Sequence, residues 1–278
     1  MADAFISQAL STLPATTPLA KAATPLLAGS QIPSTRVESF RYTDVSPLTA
    51  QTLAAPAAAD AAAIRAAAAA CTLPQADGCR AVVVDGSFRP DLSDLSAAPA
   101  GLYVGPAADA PAAATAHLGA QSSERGGVFA TMNSATSSGC LVVHAPAGAQ
   151  CGTPVHVVHV SSSAAAAGTL AASAARVLVV AEAGAQIEII EEFVGLAGGQ
   201  YFGNSVAEVE VAEKAAVVHS VLENEAAGAF HMKGTLVQQH EASAYTLVEV
   251  RIGGSLSRCV PPSASFLQQR DLIRNKQL

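Results

Sequence analysis

Apolar and polar residues alternate along four segments in the second half of the chain, and this alternation predicts β-strands. Val and Ile dominate each segment at every second position, which is typical of strands that bury one face. The segments are RVLVVA at 176–181, QIEIIEEFVG at 186–195, a pair of strands from Ser205 to Leu222, and SAYTLVEVRIGG at 243–254. The pattern favours stacked strands over a helical enzyme core.

Short breaks between these segments recur at a nearly constant interval. Ala185, Ala215 and Ala242 mark successive breaks and stand 30 and 27 residues apart. The tetrapeptide AGAQ at 147–150 occurs again at the first of these breaks, so we expect the repeat to begin near Gly139. A period of this size is typical of a solenoid. Because no crossover helix fits between the strands, the pattern favours a right-handed parallel β-helix over a βαβ sheet.

Helical patterns precede the strands. Apolar residues recur at helical spacing from Phe5 to Leu13, and Pro14 ends a predicted short amphipathic helix. The nearly all-alanine stretch at 56–71 has high helix propensity and predicts another helix. The fold class is therefore mainly β. The predicted divisions are a helical or irregular N-terminal region at 1–75, a β-helix core at 76–258 and a divergent tail at 259–278.

Composition disfavours several classes of partner. Aromatic residues make up 4% of the chain and Trp is absent, so the sequence offers no stacking platform for single-stranded nucleic acid. A net charge of −7 also disfavours a phosphate-binding surface. The longest apolar run in the strand region is well short of the roughly 20 residues that span a bilayer. We expect a soluble protein that binds neither nucleic acid nor membrane.

Sequence motifs for catalysis are absent. The chain contains neither a phosphate-binding GxxxxGK loop nor a GxSxG nucleophile elbow. Its five cysteines form no CxxC pair and are irregularly spaced, which favours incidental thiols in a reducing compartment over a metal site. We therefore expect neither enzymatic activity nor a metal site formed by this chain alone.

Glu191 is the most unusual acidic residue in the predicted strands. It shares a face with Ile187, Ile189 and Phe193, which should be buried. An inward carboxylate is costly unless it is paired or lies beside a bulge. A bulge that turns Glu191 outward is the preferred interpretation.

The histidines offer a second set of candidates. His156 and His159 lie three positions apart on one strand, so they should point to opposite faces. His219, His231 and His240 are closer to the repeat core, and stacking of adjacent coils could bring them near one another. The simpler interpretation of each is a surface histidine or a satisfied core histidine.

Several segments resemble the SufB/SufD family of iron–sulfur cluster assembly proteins, and SufD in particular. ESFRYTD at 38–44 is similar to the E-x-W-R/K-Y-T-D signature near the start of SufD, with Phe in place of Trp. FATMN at 129–133 is similar to the family's F-x-x-L-N element, and a GG-x-L-S-R segment ends the match, which begins near Asp3. The family-motif residues are Phe40, Arg41, Tyr42, Thr43, Asp44, Gly253, Gly254 and Arg258.

The resemblance implies a β-helix scaffold subunit that works with a SufB-like paralogue and a SufC-like ABC ATPase. The ATPase activity would reside in the partner, and an iron–sulfur cluster would be bound transiently in the complex. His231 matches a position that often carries His in SufD-like sequences, so it is the first candidate for cofactor binding, and Glu191 is the second. No residue of this chain is predicted to be catalytic. Because the resemblance stops after Arg258, we expect a C-terminally truncated chain whose exposed coil end promotes association.

Three alternatives remain open from the sequence. A β-helix enzyme acting on polysaccharide would carry paired carboxylates or basic residues on an outward strand face. A hexapeptide-type acyltransferase would show a strict six-residue repeat. A truncated isoform without function would follow from the missing end. The Ala-rich composition favours a nuclear-encoded protein of the plastid stroma, with the bacterial cytoplasm as the other possibility.

Overall fold

The computed structural model describes residues 3–57, 60–163, 168–196, 198–260, 265–266 and 276–277. Its α-helices are α1 Ala4–Thr12, α2 Pro18–Ala23, α3 Ser46–Thr49, α4 Ala61–Ala70, α5 Ala112–Thr115, α6 Ala120–Arg125 and α7 Gly127–Thr136. Short 3-10 helices occur at Thr24–Leu27, Glu38–Phe40, Pro74–Ala76 and Pro90–Leu92. The helices predicted near the N-terminus and in the alanine-rich stretch are confirmed as α1 and α4. Among the described residues, no helix is long and apolar enough to cross a bilayer.

The strands form two sheets. Sheet A contains β1 Leu53–Ala54, β4 Tyr103–Pro106, β5 Leu141–Ala145, β7 Leu170–Ser173, β8 Arg176–Ala181, β10 Tyr201–Val211, β12 Phe230–Gln239, β14 Leu256–Val260 and β15 Ser265–Phe266. Sheet B contains β2 Arg80–Val84, β3 Ser87–Phe88, β6 Val155–Ser161, β9 Gln186–Gly195, β11 Ala216–Glu225, β13 Ala244–Gly253 and β16 Lys276–Gln277. Successive strands from β8 to β13 alternate between the two sheets, as the turns of a coil do.

Parallel pairing between coils makes a β-helix. β10 pairs in parallel with β8 and β12, while β11 pairs in parallel with β9 and β13. Val206 lies opposite Arg176 and Gly234, so these coils are offset by 30 and 28 residues. The earlier offset from Leu141 to Val177 is 36 residues. The predicted parallel β-helix is confirmed, and the 28-residue offset is not a multiple of the strict six-residue repeat expected of an acyltransferase.

The AGAQ segments and their later equivalents are stacked tight turns. Gly148 N donates to Ala183 O at 2.9 Å, and Lys214 N donates to Glu241 O at 3.0 Å, so hydrogen bonds run from turn to turn. One residue in each turn has positive φ, namely Gly148 (73°), Gly184 (71°), Lys214 (60°) and Ala242 (56°). A residue with a Cβ adopts this conformation at a cost of roughly 1–2 kcal/mol. The two later turns therefore carry strain that the two glycine turns avoid.

Helices cover the outer faces of both sheets. The buried Phe5 of α1 and Phe129 of α7 share a core with Phe202 on the outer face of sheet A. Ile64 of α4 packs with Val158 on the outer face of sheet B. These helices account for much of the described N-terminal half.

The first part of the predicted core at 76–258 contains helices as well as strands. α5, α6 and α7 fall within the predicted core 76–258, yet they lie outside the coils, against sheet A. The side chain of Asn133 on α7 is buried and donates to Ala175 O at 2.8 Å and Asn204 O at 2.7 Å. Most of the predicted tail 259–278 lies outside the described residues.

Candidate functional site: a polar cluster inside the β-helix

The interior of the β-helix has two chemically different edges. At the turn edge, beside the stacked tight turns, the inward side chains are apolar: Val179, Ala181, Val209, Val211, Val237, Ile187, Ile189 and Val217. At the polar edge, where strands of sheet B end and those of sheet A begin, the buried side chains are polar: His159, Glu191, Glu223, Glu225, Ser205, His231 and Lys233, with His219 beside them. The polar edge is the candidate site because it concentrates buried ionisable groups.

Glu191 is the centre of this cluster. Its side chain is 1% exposed, and it accepts a hydrogen bond from Lys233 Nζ at 2.6 Å. His159 Nε2 lies 3.0 Å and His219 Nε2 2.9 Å from its two carboxylate oxygens. Lys233 belongs to sheet A and Glu191 to sheet B, so this ion pair spans the interior.

The preferred interpretation of Glu191 as an outward residue beside a bulge is wrong. β9 pairs without interruption with β6 and β11 through Glu191, so the alternation of the strand continues past it. The carboxylate therefore points inward, on the face shared with Ile187, Ile189 and Phe193. Three hydrogen-bonding partners compensate for its desolvation, which removes the need for a bulge.

The surroundings of Glu191 determine its protonation state. Burial opposes ionisation, but Lys233 and the hydrogen bonds from His159 and His219 hold its pKa well below the ordinary value. Burial lowers the pKa of His159, so its imidazole is neutral near pH 7. Because an ionised carboxylate only accepts hydrogen bonds, Nε2 of both histidines carries the proton. The cluster thus contains a buried carboxylate surrounded by donors.

His231 lies in a neighbouring part of the polar edge. Its Nε2 is 2.7 Å from Ser205 Oγ, and its Nδ1 is 2.9 Å from Glu225 Oε1. Burial opposes ionisation of Glu225, yet contacts with His231 and Tyr201 hold its pKa below the ordinary value. A second buried carboxylate is therefore kept charged beside His231.

Phe193 links the two parts of the cluster. Its ring stacks on His159 with centroids 4.2 Å apart, and it lies 4.7 Å from the His231 ring in a tilted arrangement. Lys233 Nζ is 5.0 Å from the ring centroid, within the range of a cation–π interaction. A small cavity of about 20 Å³ beside these rings has room for one water molecule. The two predicted candidates, Glu191 and His231, therefore belong to one buried cluster.

Lys233 completes the cluster, and the sequence analysis missed it. The signal was present in the alternation, because Lys233 lies four positions before the inward Val237 on β12. A lysine in phase with buried valines predicts a buried cation. The same reasoning places His219 inward, two positions from Val217.

The predicted histidine geometry is partly confirmed. His156 and His159 do point to opposite faces, since His156 Nε2 contacts Glu192 at 2.9 Å while His159 contacts Glu191 in the interior. His240 instead pairs with Glu210 at the outer face of sheet A. His240 therefore does not join the other two, and its pairing with Glu210 agrees with the simpler interpretation of a satisfied histidine.

The family-motif residues join distant parts of the chain. The Arg258 guanidinium lies 4.0 Å from the Phe40 ring centroid, and its Nη1 donates to Thr43 Oγ1 at 2.9 Å across 215 residues of sequence. Phe40 also stacks on Phe129 with centroids 6.1 Å apart. These contacts hold the N-terminal segment against β14.

The other motif residues have separate positions. Asp44 accepts a hydrogen bond from Ser46 N at 2.9 Å at the start of α3. Tyr42 is 92% exposed beside Arg41, so the fold does not bury it. Gly253 and Gly254 both have positive φ, and a Cβ on Gly253 would lie 2.1 Å from a backbone oxygen. Glycine is therefore required at position 253.

Thiols and metal-ligand residues are dispersed. All five cysteines are free, and burial raises the pKa of Cys71 to about 12 and of Cys79 to about 11. Burial and the nearby Glu223 raise the pKa of Cys259, whose Sγ lies 3.0 Å from that carboxylate. Within the described ranges, no three His, Cys, Asp or Glu side chains are placed to hold a metal ion.

Two family profiles match nearly the whole chain. The SufBD protein N-terminal region matches residues 11–157, and the SufBD core domain of SUF-system FeS cluster assembly matches residues 160–265. Protein ABCI7, chloroplastic, of Arabidopsis thaliana is 33% identical over 183 residues, which cover 64% of this chain and 38% of that protein. An iron–sulfur cluster assembly SufBD family protein of Synechocystis is 29% identical over 245 residues, covering 84% and 53%. The chain thus spans about half, or less, of the length of these relatives.

Proposed function

We propose a function from the premise that this chain belongs to the SufBD family of SUF-system iron–sulfur cluster assembly proteins. It acts as a scaffold subunit in a complex with a SufB-like paralogue and a SufC-like ABC ATPase. The observation that carries this proposal is the match of both family regions, in order, to residues 11–157 and 160–265. The ATPase activity resides in the partner.

The thiols of this chain support a scaffold that shares its substrate with a partner. Iron–sulfur clusters are held by thiolates, whereas burial keeps Cys71, Cys79 and Cys140 protonated, with pKa values raised to about 12, 11 and 12. We therefore assign the ligands of the substrate cluster to more than one chain. Cluster binding is transient and occurs in the complex.

Glu191 and His231 are our proposed contacts for the substrate cluster or its precursors. Both side chains are buried and paired, so substrate can reach them only when the polar edge opens. A rearrangement of the paired β-helices driven by the ATPase would supply that opening. Until then, the ion pair between Lys233 and Glu191 bridges the two sheets at the polar edge.

The plastid stroma is the proposed location. The printed name of the Arabidopsis relative describes a chloroplastic protein, and the other relative comes from a cyanobacterium. A plastid protein inherited from a cyanobacterial ancestor accounts for both similarities. The bacterial cytoplasm is the alternative, and fractionation of the source cells distinguishes the two.

Co-purification from the source organism tests the proposed function. The tagged chain is expected to retain the SufB-like and SufC-like proteins and to carry iron after anaerobic cluster assembly, as measured by mass spectrometry, light scattering and iron analysis. The Synechocystis relative, purified in parallel, is the positive control. If that relative retains its partners while this chain elutes alone and free of iron, the scaffold proposal is wrong.

A further inference from the structure

A cleft of about 610 Å³ lies on the protein surface between the end of α4 and the connections that follow β9 and β11. We call it the outer cleft. Its polar lining residues are Cys71, Glu192, Gln200, Asn224 and Glu225. Gln200 and Asn224 are exposed, so solvent reaches the outer cleft, whereas Glu192 and Glu225 are each only 8% exposed and belong to its inner wall.

Glu225 separates the outer cleft from the polar edge. Of the described residues, it alone lines both the outer cleft and the small cavity of about 20 Å³ beside His159 and His231, which we call the inner cavity. Its carboxylate accepts a hydrogen bond from the Tyr201 hydroxyl and lies 2.9 Å from His231 Nδ1. A movement of this one side chain would therefore connect the surface with the interior.

The lining of the two spaces is negatively charged. Glu192 and Glu225 contribute carboxylates, and no Lys or Arg is among the described lining residues. Arg80 lies behind Cys71, where its Nη1 donates to the Cys71 carbonyl oxygen at 3.2 Å, and it does not line the outer cleft. Because carboxylates attract cations and repel anions, this lining favours ferrous iron over sulfide as the precursor that enters.

The inner cavity offers a free ligand atom. His159 lines it and is 4% exposed, and its Nδ1 has no hydrogen-bond partner among the described residues. Because Nε2 of the same ring carries the proton and donates to Glu191, Nδ1 keeps an unshared lone pair. Metal-binding histidines commonly donate their other ring N–H to a carboxylate in this way. His159 therefore has the hydrogen bonding of a metal ligand, with Glu191 as the carboxylate that fixes its tautomer.

The size of the inner cavity limits what it can hold. A volume of about 20 Å³ admits one water molecule or one ion, but not an assembled cluster. Among the described residues, no three His, Cys, Asp or Glu side chains converge on a metal position, so an ion would have few protein ligands there. Few ligands favour release, as an ion in transit requires.

We propose that the outer cleft is the entrance for ferrous iron, which passes Glu225 and is held in the inner cavity by His159 Nδ1 together with Glu225. Iron is the expected cargo because this step rests on the proposed function in iron–sulfur cluster assembly. Loss of the partner proteins with iron still bound at His159 would refute only the scaffold. Retained partners without iron at His159 would refute only this site.

Anaerobic equilibrium dialysis of the full chain against ferrous iron or sulfide tests the site. We expect one ferrous ion per chain and no retained sulfide. His159→Gln keeps a donor for Glu191 but removes the imidazole lone pair, so it should weaken iron binding about tenfold or more. His144→Gln is the matched control, because His144 pairs with Glu182 in the same way and also has a partnerless Nδ1, but does not line the inner cavity. Equal losses in the two variants, or no iron bound to the parent chain, would refute the site.

A second matched pair locates the entrance. Ala70 is exposed and lines the outer cleft, whereas its neighbour Ala69 is exposed on the same helix and does not line it. Ala70→Phe should obstruct the passage without touching the ion, so iron loaded beforehand should reach the chelator ferrozine at least about fivefold more slowly than from the parent chain. Ala69→Phe should leave the release rate unchanged, and circular dichroism verifies that both variants are folded. Equal release from the parent and both variants would overturn the proposed entrance.

Discussion

The turn edge and the polar edge of the β-helix interior are built from the same coils but are stabilised in different ways. At the turn edge, Val and Ile contribute by burial, which is non-directional and worth roughly 1.5–3 kcal/mol for each fully buried side chain. At the polar edge, each buried charge depends on a partner in the opposite sheet. At the turn edge, the loss of a small apolar group should cost only the burial of that group. At the polar edge, removal of one partner should leave the other as an unpaired buried charge.

The largest expected effect is the loss of Lys233. Lys233→Met removes the cation and leaves Glu191 buried without its strongest partner, so we expect the free energy of unfolding to fall by about 3–5 kcal/mol. Urea denaturation measures the change. Lys214→Met is the matched control, because Lys214 is an exposed lysine whose pair with Glu213 is screened by solvent, so its loss should leave the urea midpoint nearly unchanged.

A double substitution sharpens this prediction. Combining Lys233→Met with Glu191→Gln removes both charges, so the double variant should be more stable than Lys233→Met alone. If the double variant instead loses the full sum of the stability losses of the two single variants, Lys233 and Glu191 are not energetically coupled, and the contrast between the two edges is refuted.

Acidification is expected to weaken the polar edge selectively. The folded-state pKa of His159 lies below its ordinary value of 6.5, and those of Glu191 and Glu225 lie below 4.5. At pH values below these ordinary pKa values, the unfolded chain binds more protons than the folded chain. The contribution of these groups to stability is therefore complete above about pH 6.5. Stability falls as the pH drops, first through protonation of His159 and then through protonation of the carboxyl groups. Urea midpoints from pH 7.5 to 4 measure the loss.

His159→Gln tests the source of that pH dependence. Glutamine keeps a donor for Glu191 but does not titrate, so the decline between pH 7 and 5.5 should flatten. The turn-edge variant Ile189→Val should keep the parent's pH dependence. A parallel response of both variants would show that acid acts elsewhere in the molecule.

At the turn edge, a single methylene should matter modestly. Ile189 is fully buried, and Ile189→Val removes one methylene group without disturbing hydrogen bonds. We expect a loss of about 0.5–1.5 kcal/mol that is the same at pH 7.5 and pH 5.5. Urea denaturation at both pH values checks this, and a loss that depends on pH would contradict the separation of the two edges.

The smallest effects are expected in the stacked turns beside the turn edge. Ala242 has φ of 56°, so Ala242→Gly should relieve strain and stabilise the fold by up to about 1 kcal/mol. Gly184 has φ of 71°, so Gly184→Ala should destabilise it by about 1 kcal/mol, although nothing lies within 4 Å of the added methyl group. Thermal unfolding of the pair measures both signs, and effects of the same sign would refute the strain argument.

Glu191, Phe40 and Arg258 show which features could be predicted from the sequence and which could not. The alternation in β9 places Glu191 on the face of Ile187 and Ile189, but the neighbouring sequence offers no partner, which is why a bulge is the preferred interpretation from the sequence alone. The partner, Lys233, lies 42 residues away in the other sheet. The resemblance to SufD identified Phe40 and Arg258 without indicating that they contact each other.

By itself, the sequence determined most of the strands of the coils, their approximate period and the alternation of faces along each strand. These are properties of a regular backbone, in which side chains alternate with every residue and coils repeat at the spacing of the turns. Only the tertiary structure decided which inward groups meet across the interior, because such contacts depend on the offset between coils and on the opposite sheet. The paired polar edge and the contact between Phe40 and Arg258 both arise at that level.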